Sequence, residues 1–249
     1  MDNYLKITRI AAAIISIILA FTLCGLDISE SYGEDSSGKY IPLPSEYTKN
    51  DAVSSENIMG ADFSSYQQKL QSADSEMTWK DQRGNETDPF QLLVSQGINT
   101  ISAKVLVDPD TDTDNRWYSL DNAIATFKKA KEAGLKINAV FTFSDWMTGD
   151  NYNKPAERWN TGEDSGTLGW NAGQYVLEEL EKMKQEGVLP DIVTVGNSIN
   201  WDFLGFTDGW DVFNSLSKVT SQIRDKYSDM KIAVSFKAPD SAEGIKWFV

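Results

Sequence analysis

From residue 57 onward, two hydrophobic periods take turns along the chain. Short continuous apolar runs suit buried strands, and apolar positions spaced by three or four suit one face of a helix. "IMGADF" (58–63) predicts a first strand. "DPFQLLVSQG" (88–97) predicts a short helix with Pro at its start and Gly at its end. "NTISAKVLV" (99–107) predicts the second strand. In "SLDNAIATFKKAKEAG" (119–134), Ile124, Phe127 and Ala130 share one face, lysines fill the last turns and Gly134 is the stop. "LKINAVFTF" (135–143) predicts the third strand. A helix follows over 171–187, with Val176, Leu180 and Met183 on one face. "DIVTVGN" (191–197) is the fourth strand, 210–227 the next helix, and "KIAVSFK" (231–237) the fifth strand. "SAEGIKWFV" (241–249) opens another helix.

Strands and helices that alternate in this way give parallel strands with crossover helices, in a barrel or a doubly wound sheet. No G-x-G-x-x-G or P-loop follows any strand, which removes most of the case for nucleotide binding. Long loops containing Trp after strands 2, 3 and 4 favour a barrel, whose sites lie at the C-terminal ends of its strands. The expected fold is therefore α/β, a partial (β/α)8 barrel of the TIM type with about five of eight βα units.

The N-terminus changes the picture of where the protein works. Lys6 and Arg9 precede an unbroken apolar stretch, residues 10–26, as in a signal peptide or N-terminal anchor over 1–28. The protein is expected to be secreted or attached to the cell envelope, touching membrane only through this segment. Cys24 suggests lipidation, but Leu23 stands where a small residue is expected. Residues 29–56, rich in Ser, Glu, Asp and Pro, predict a disordered spacer. The folded domain is expected over 57–249.

Composition narrows the partners. The 249 residues carry a formal charge of −14, with no His and a single Cys. Nucleic-acid binding needs clustered Lys and Arg, so it is excluded. With no cysteine after position 24, thiolate chemistry and disulfides are excluded from the domain. Eight Trp on an acidic chain suit a neutral ligand such as carbohydrate, and no cofactor is implied.

"GADFSS" (60–65), "VDP" (107–109), "FSDW" (143–146), "KPAERW" (154–159), "PDIVTVGN" (190–197) and "KIAVSF" (231–236) carry a resemblance. Their order and spacing are similar to glycoside hydrolase family 53, the arabinogalactan endo-β-1,4-galactanases, over residues 58–249. The resemblance implies a (β/α)8 barrel that cleaves β-1,4-galactan with retention. An acid/base carboxylate would lie at the end of strand 4 and a nucleophilic one at the end of strand 7, about 5 Å apart. Position 198, where the family carries the acid/base Glu, is Ser, whose hydroxyl cannot usefully protonate a leaving oxygen. Losing a positioned general acid lowers rates by roughly 10²–10⁴. By strand count the chain ends after strand 5, so the strand-7 nucleophile is expected to be absent from it. A gene fragment is the simple reading, and an assembly completed by another chain the sharper one. The resemblance exposes further departures. Ser102 and Lys104 stand where strand 2 carries Arg, Val140, Phe141 and Thr142 replace Asp-Phe-His, and Ser235 replaces His.

By family analogy Asn197 would bond a sugar 2-hydroxyl, or else cap its turn. Asp62 and Asp145, at the ends of strands 1 and 3, could touch sugar or hold loops. Trp146, Trp159 and Trp201 offer flat rings for stacking on galactose, or loop packing. Asp110, Asp112, Asp114 and Asp121 fall at calcium-loop positions 1, 3, 5 and 12. Asn115 replaces the required Gly, however, and a solvated acidic loop is the plainer reading. Asp202 or Glu163 could substitute for the missing acid. Three functions follow: a family member that binds galactan without efficient cleavage, a galactanase with an unusual acid, and a surface protein capturing glycan with its Trp loops.

Overall fold

A computed structural model describes residues 57–72, 78–81, 83–147, 154–199 and 202–235. Five parallel strands form one sheet in the order of the sequence: β1 (Gly60–Asp62), β2 (Thr100–Val105), β3 (Lys136–Phe141), β4 (Ile192–Val195) and β5 (Lys231–Val234). A doubly wound sheet reverses its order at a switch point, and none occurs among the described strands, whose topology is that of an arc of a (β/α) barrel. The helices are α1 (Tyr66–Ser72), α2 (Pro89–Ser95), α3 (Leu120–Glu132), α4 (Ser165–Gln185) and α5 (Gly209–Lys226). Among the described residues no helix is long and apolar enough to cross a membrane. The signal segment, the spacer, Trp201 and the helix expected over 241–249 lie outside the described residues.

Local chemistry explains where the helices begin. Asp88, Asp164 and Asp208 each accept hydrogen bonds from backbone N–H groups of the first turn of α2, α4 and α5, and Ser119 does so for α3. The sequence reading needs two corrections. The helix expected from residue 171 begins at Ser165, because the Asp164 cap overrides the glycines at 166 and 169. The segment Tyr66–Ser72, with no predicted element, is helical.

Alternation along the strands decides what faces what. Ile101, Ala103 and Val105 of β2, Ile137, Ala139 and Phe141 of β3, and Val193 and Val195 of β4 enter one core with the helices. There they meet Phe90 of α2, Phe127 of α3, Leu180 and Met183 of α4, and Ile223 of α5, all fully buried. The other face of the sheet carries the remaining residues in three register rows. The first is Gly60, Thr100 and Lys136, the second is Asp62, Ser102, Asn138, Ile192 and Lys231, and the third is Lys104, Val140, Thr194 and Ala233. That face is mostly polar, and its charge is confined to few residues.

Candidate functional site

Among the described residues, the loops that leave the C-terminal ends of the strands are tied to one another. After β2, a 3₁₀ turn (Asp114–Tyr118) returns to the strand through Leu106 N–H donating to the Tyr118 carbonyl at 2.9 Å. The Asn115 carboxamide oxygen accepts from Met147 N–H at 3.1 Å, which joins this turn to the loop after β3. Asp108 forms a two-pronged ion pair with Arg158 across the same boundary.

Asp145 sits at the centre of that junction. It is 6% exposed, and its two oxygens accept Asp108 N–H at 2.8 Å and Glu157 N–H at 2.9 Å. Its carboxylate therefore clamps the loop after β2 to the "KPAERW" segment. Trp159 of that segment is 7% exposed, with its ring 5.5 Å from Tyr175 and 6.3 Å from Phe143. Burial pushes the Tyr175 hydroxyl far above its ordinary pKa, and the group stays a neutral donor to the Leu106 carbonyl. Trp146 remains half-buried, and Trp201 is outside the described residues.

At the end of β4 the backbone makes a tight turn. Gly196 (φ +81°) and Ser198 (φ +59°) are both left-handed, and a Cβ on Gly196 would collide with the Ile199 side chain. For a non-glycine residue this conformation costs roughly 1–2 kcal/mol. The turn is held by Ser198 N–H on the Ser235 hydroxyl and by Ile199 N–H on the Ser235 carbonyl, at 3.3 and 2.7 Å. Asn197 and Ser198 are half-buried, and their side chains have no hydrogen-bond partner among the described residues.

At the other side of the arc, the Lys104 ammonium lies 2.5 Å from the Asp62 carboxylate. The second Asp62 oxygen accepts from Ser64 N–H and Ser64 Oγ–H, and Ser64 Oγ accepts Lys104 N–H at 2.9 Å. Burial alone would raise the Asp62 pKa, but the Lys104 charge and these hydrogen bonds prevail and hold it below the usual value. Tyr118 lies within the electrostatic reach of both charges, and burial raises its pKa. Placement at the end of strand 1 pointed to Asp62, whereas Lys104 appeared only as a departure from the family pattern. Tyr118 carried no sequence signal at all.

The acidic loop turns inward on itself. Asp110 caps Asp112 N–H at 2.9 Å, and Asp114 opens the 3₁₀ turn. Among the described residues no three acidic, His or Cys side chains gather as metal ligands do.

Among the described residues, the arrangement is a wall of hydrogen-bonded loops around hydroxyl, amide and neutralised ionic groups. Ser198 occupies the end of β4. The carboxylates of Asp62, Asp108 and Asp145 are engaged elsewhere, and Asp202 is also partnered.

The chain is similar to an arabinogalactan endo-β-1,4-galactanase of Thermothelomyces thermophilus, 33% identical over 138 residues, covering 54% of this chain and 40% of the relative. It is also similar to an endo-β-1,4-galactanase of Bacillus subtilis, 26% identical over 203 residues, covering 78% of this chain and 45% of that one. Among solved structures, a fungal β-1,4-galactanase superposes with a TM-score of 0.67 at 27% identity, over 77% of this chain and 57% of the other. The family 53 catalytic domain of Ignisphaera aggregans matches with the same TM-score at 24% identity, over 77% and 54% of the two chains, and supports the fold alone. The chain thus spans about two-fifths of the length of the curated relatives it matches, and its fold is part of a TIM-type barrel. Residues 58–249 match glycosyl hydrolase family 53 across the whole described sheet, and the chain belongs to that family.

Proposed function

We propose that this chain is an exported, galactan-associated member of family 53 that binds β-1,4-galactan at the C-terminal end of its sheet and does not cleave it at ordinary enzyme rates. The carrying observation is Ser198 at the end of β4, in a mouth where the Asp108 and Asp145 carboxylates hold loops and that of Asp62 neutralises a cation. Retaining hydrolysis uses one carboxyl group as acid and base and a second as nucleophile. A hydroxyl at position 198 supplies neither role. The names of the relatives support galactan as the ligand. Lys6, Arg9 and the apolar run that follows support export.

Affinity electrophoresis in β-1,4-galactan and product analysis after long incubation test the two halves separately. Retardation in the gel without galacto-oligosaccharide release is expected. Release at ordinary enzyme rates would overturn the non-catalytic half, and unretarded migration would overturn the binding half. Ser198→Glu is expected to leave product formation at the wild-type level, because the substitutions at Ser102, Val140, Thr142 and Ser235 have also changed the mouth. A rise of the order of 10²-fold or more would show that only the acid had been lost.

A further inference from the structure

We infer that Lys104 is the ligand-anchoring donor of this mouth, directed at the hydroxyl oxygens of a neutral sugar, and that Asp62 is its positioning residue. This rests on the proposed glycan binding and goes further, because it assigns the anchor and the charge class of the ligand.

Hydrogen-bond bookkeeping on the two side chains carries the argument. An ammonium has three donors, and a carboxylate has two oxygens with about four lone-pair sites. Asp62 directs one oxygen to Lys104 and the other to the N–H and hydroxyl of Ser64, and it has a further partner besides these. Lys104 spends one donor on Asp62, and the other two have no partner among the described residues, although its side chain is only 23% exposed. Donors that face a part-open mouth are completed by water or by a ligand, and a ligand's hydroxyl oxygens can take the place of that water. Ser64 also receives Lys104 N–H, so strand, turn and side chain lock the ammonium in one place. Tyr118, Asn197 and Ser198 stand at the same end of the sheet, again with side-chain polar groups that lack partners among the described residues.

Charge then selects the ligand. The Lys104 ammonium is already neutralised by Asp62, and the chain as a whole carries −14. An anionic sugar would meet a compensated cation within a repulsive field, while a neutral pyranose would find donors without that repulsion.

The full chain would be compared on neutral β-1,4-galactan and on anionic polygalacturonate by affinity electrophoresis. Wild type is expected to bind the neutral polymer only, with retardation that changes little with salt and is flat from about pH 5 to about pH 8, where Asp62 stays ionised. Lys104→Met is expected to weaken galactan binding tenfold or more. Lys104→Arg, which keeps charge and donors on a longer fork, is expected to recover part of it. Asp62→Asn leaves the ammonium uncompensated and is expected to create salt-sensitive binding of polygalacturonate, which loss of a merely structural contact would not do. Thermal melting of each variant identifies any that fails to fold, and Asp62→Asn then decides the question independently of Lys104→Met. Undiminished galactan binding by a folded Lys104→Met, or no polygalacturonate binding by a folded Asp62→Asn, would overturn the assignment. If wild type itself ignores galactan, the proposed function fails first.

Discussion

Asp145→Ala is expected to lower the stability of the domain by about 4 kcal/mol and to loosen the wall formed by the loops after β2 and β3. Two backbone N–H groups, of Asp108 and Glu157, end on this carboxylate at 2.8 and 2.9 Å. Hydrogen bonds to a charged acceptor contribute about 1.5–3 kcal/mol each, and a buried donor left without any acceptor carries a further desolvation penalty. Water offers little compensation, because Asp145 is 6% exposed. Asp145→Asn keeps one acceptor and turns an NH₂ group toward the second donor, so it should fall between wild type and Ala. Denaturant unfolding measures the loss, and amide hydrogen exchange locates it. Asp108 and Glu157 should lose protection before the β2 and β3 strand amides do. Full stability with both amides still protected would show that the clamp is dispensable.

Asp145 also shows why function was harder to read from the sequence than fold. An Asp at the end of a barrel strand is what a sugar ligand needs and equally what a loop clamp needs. One residue type satisfies both, and the difference lies in two backbone amides that are distant in sequence. Trp159 repeats the ambiguity, since a ring suited to stacking on galactose suits stacking on Phe143 and Tyr175 as well. The strands were legible because each buried run is short and bounded by turn residues. The parallel order then followed from their alternation with helices. The start of α4 was hidden because Gly166 and Gly169 resemble a loop until their packing partner is known. Ser198 was legible only through the family resemblance. The Lys104–Asp62 pair could not be derived from either residue alone, because 42 positions separate them.

Those helix glycines lead to the second large effect. Gly169→Ala is expected to destabilise the domain by about 2 kcal/mol, and Gly173→Ala by much less. A helix-interior Gly→Ala change ordinarily gains about 1 kcal/mol from backbone entropy. At Gly169 that gain is outweighed, because the new Cβ would lie 2.6 Å from both the Cα and the carbonyl oxygen of Ser215 in α5. Backbone cannot rotate out of the way, so α4 and α5 must separate, and overpacking of this kind costs about 1–3 kcal/mol or more. The Ser215 hydroxyl is bonded to the Asp211 and Val212 carbonyls, and the nearby Ser165–Asp211 and Asn214–Ser165 bonds would stretch with the separation. At Gly173 the obstacle is the side-chain end of Gln222, which can swing aside by giving up bonds to the Trp170 and Lys218 carbonyls. The loss there roughly offsets the entropic gain. For a domain of this size, 1 kcal/mol shifts the melting temperature by about 2–4 °C. The two variants should therefore melt at clearly different temperatures, with Gly169→Ala the lower. Equal melting points would mean that the α4–α5 contact does not depend on backbone approach at Gly169. The contact matters for the mouth because α4 leads into β4 and α5 leaves it, and the strained turn bearing Asn197 and Ser198 lies between them.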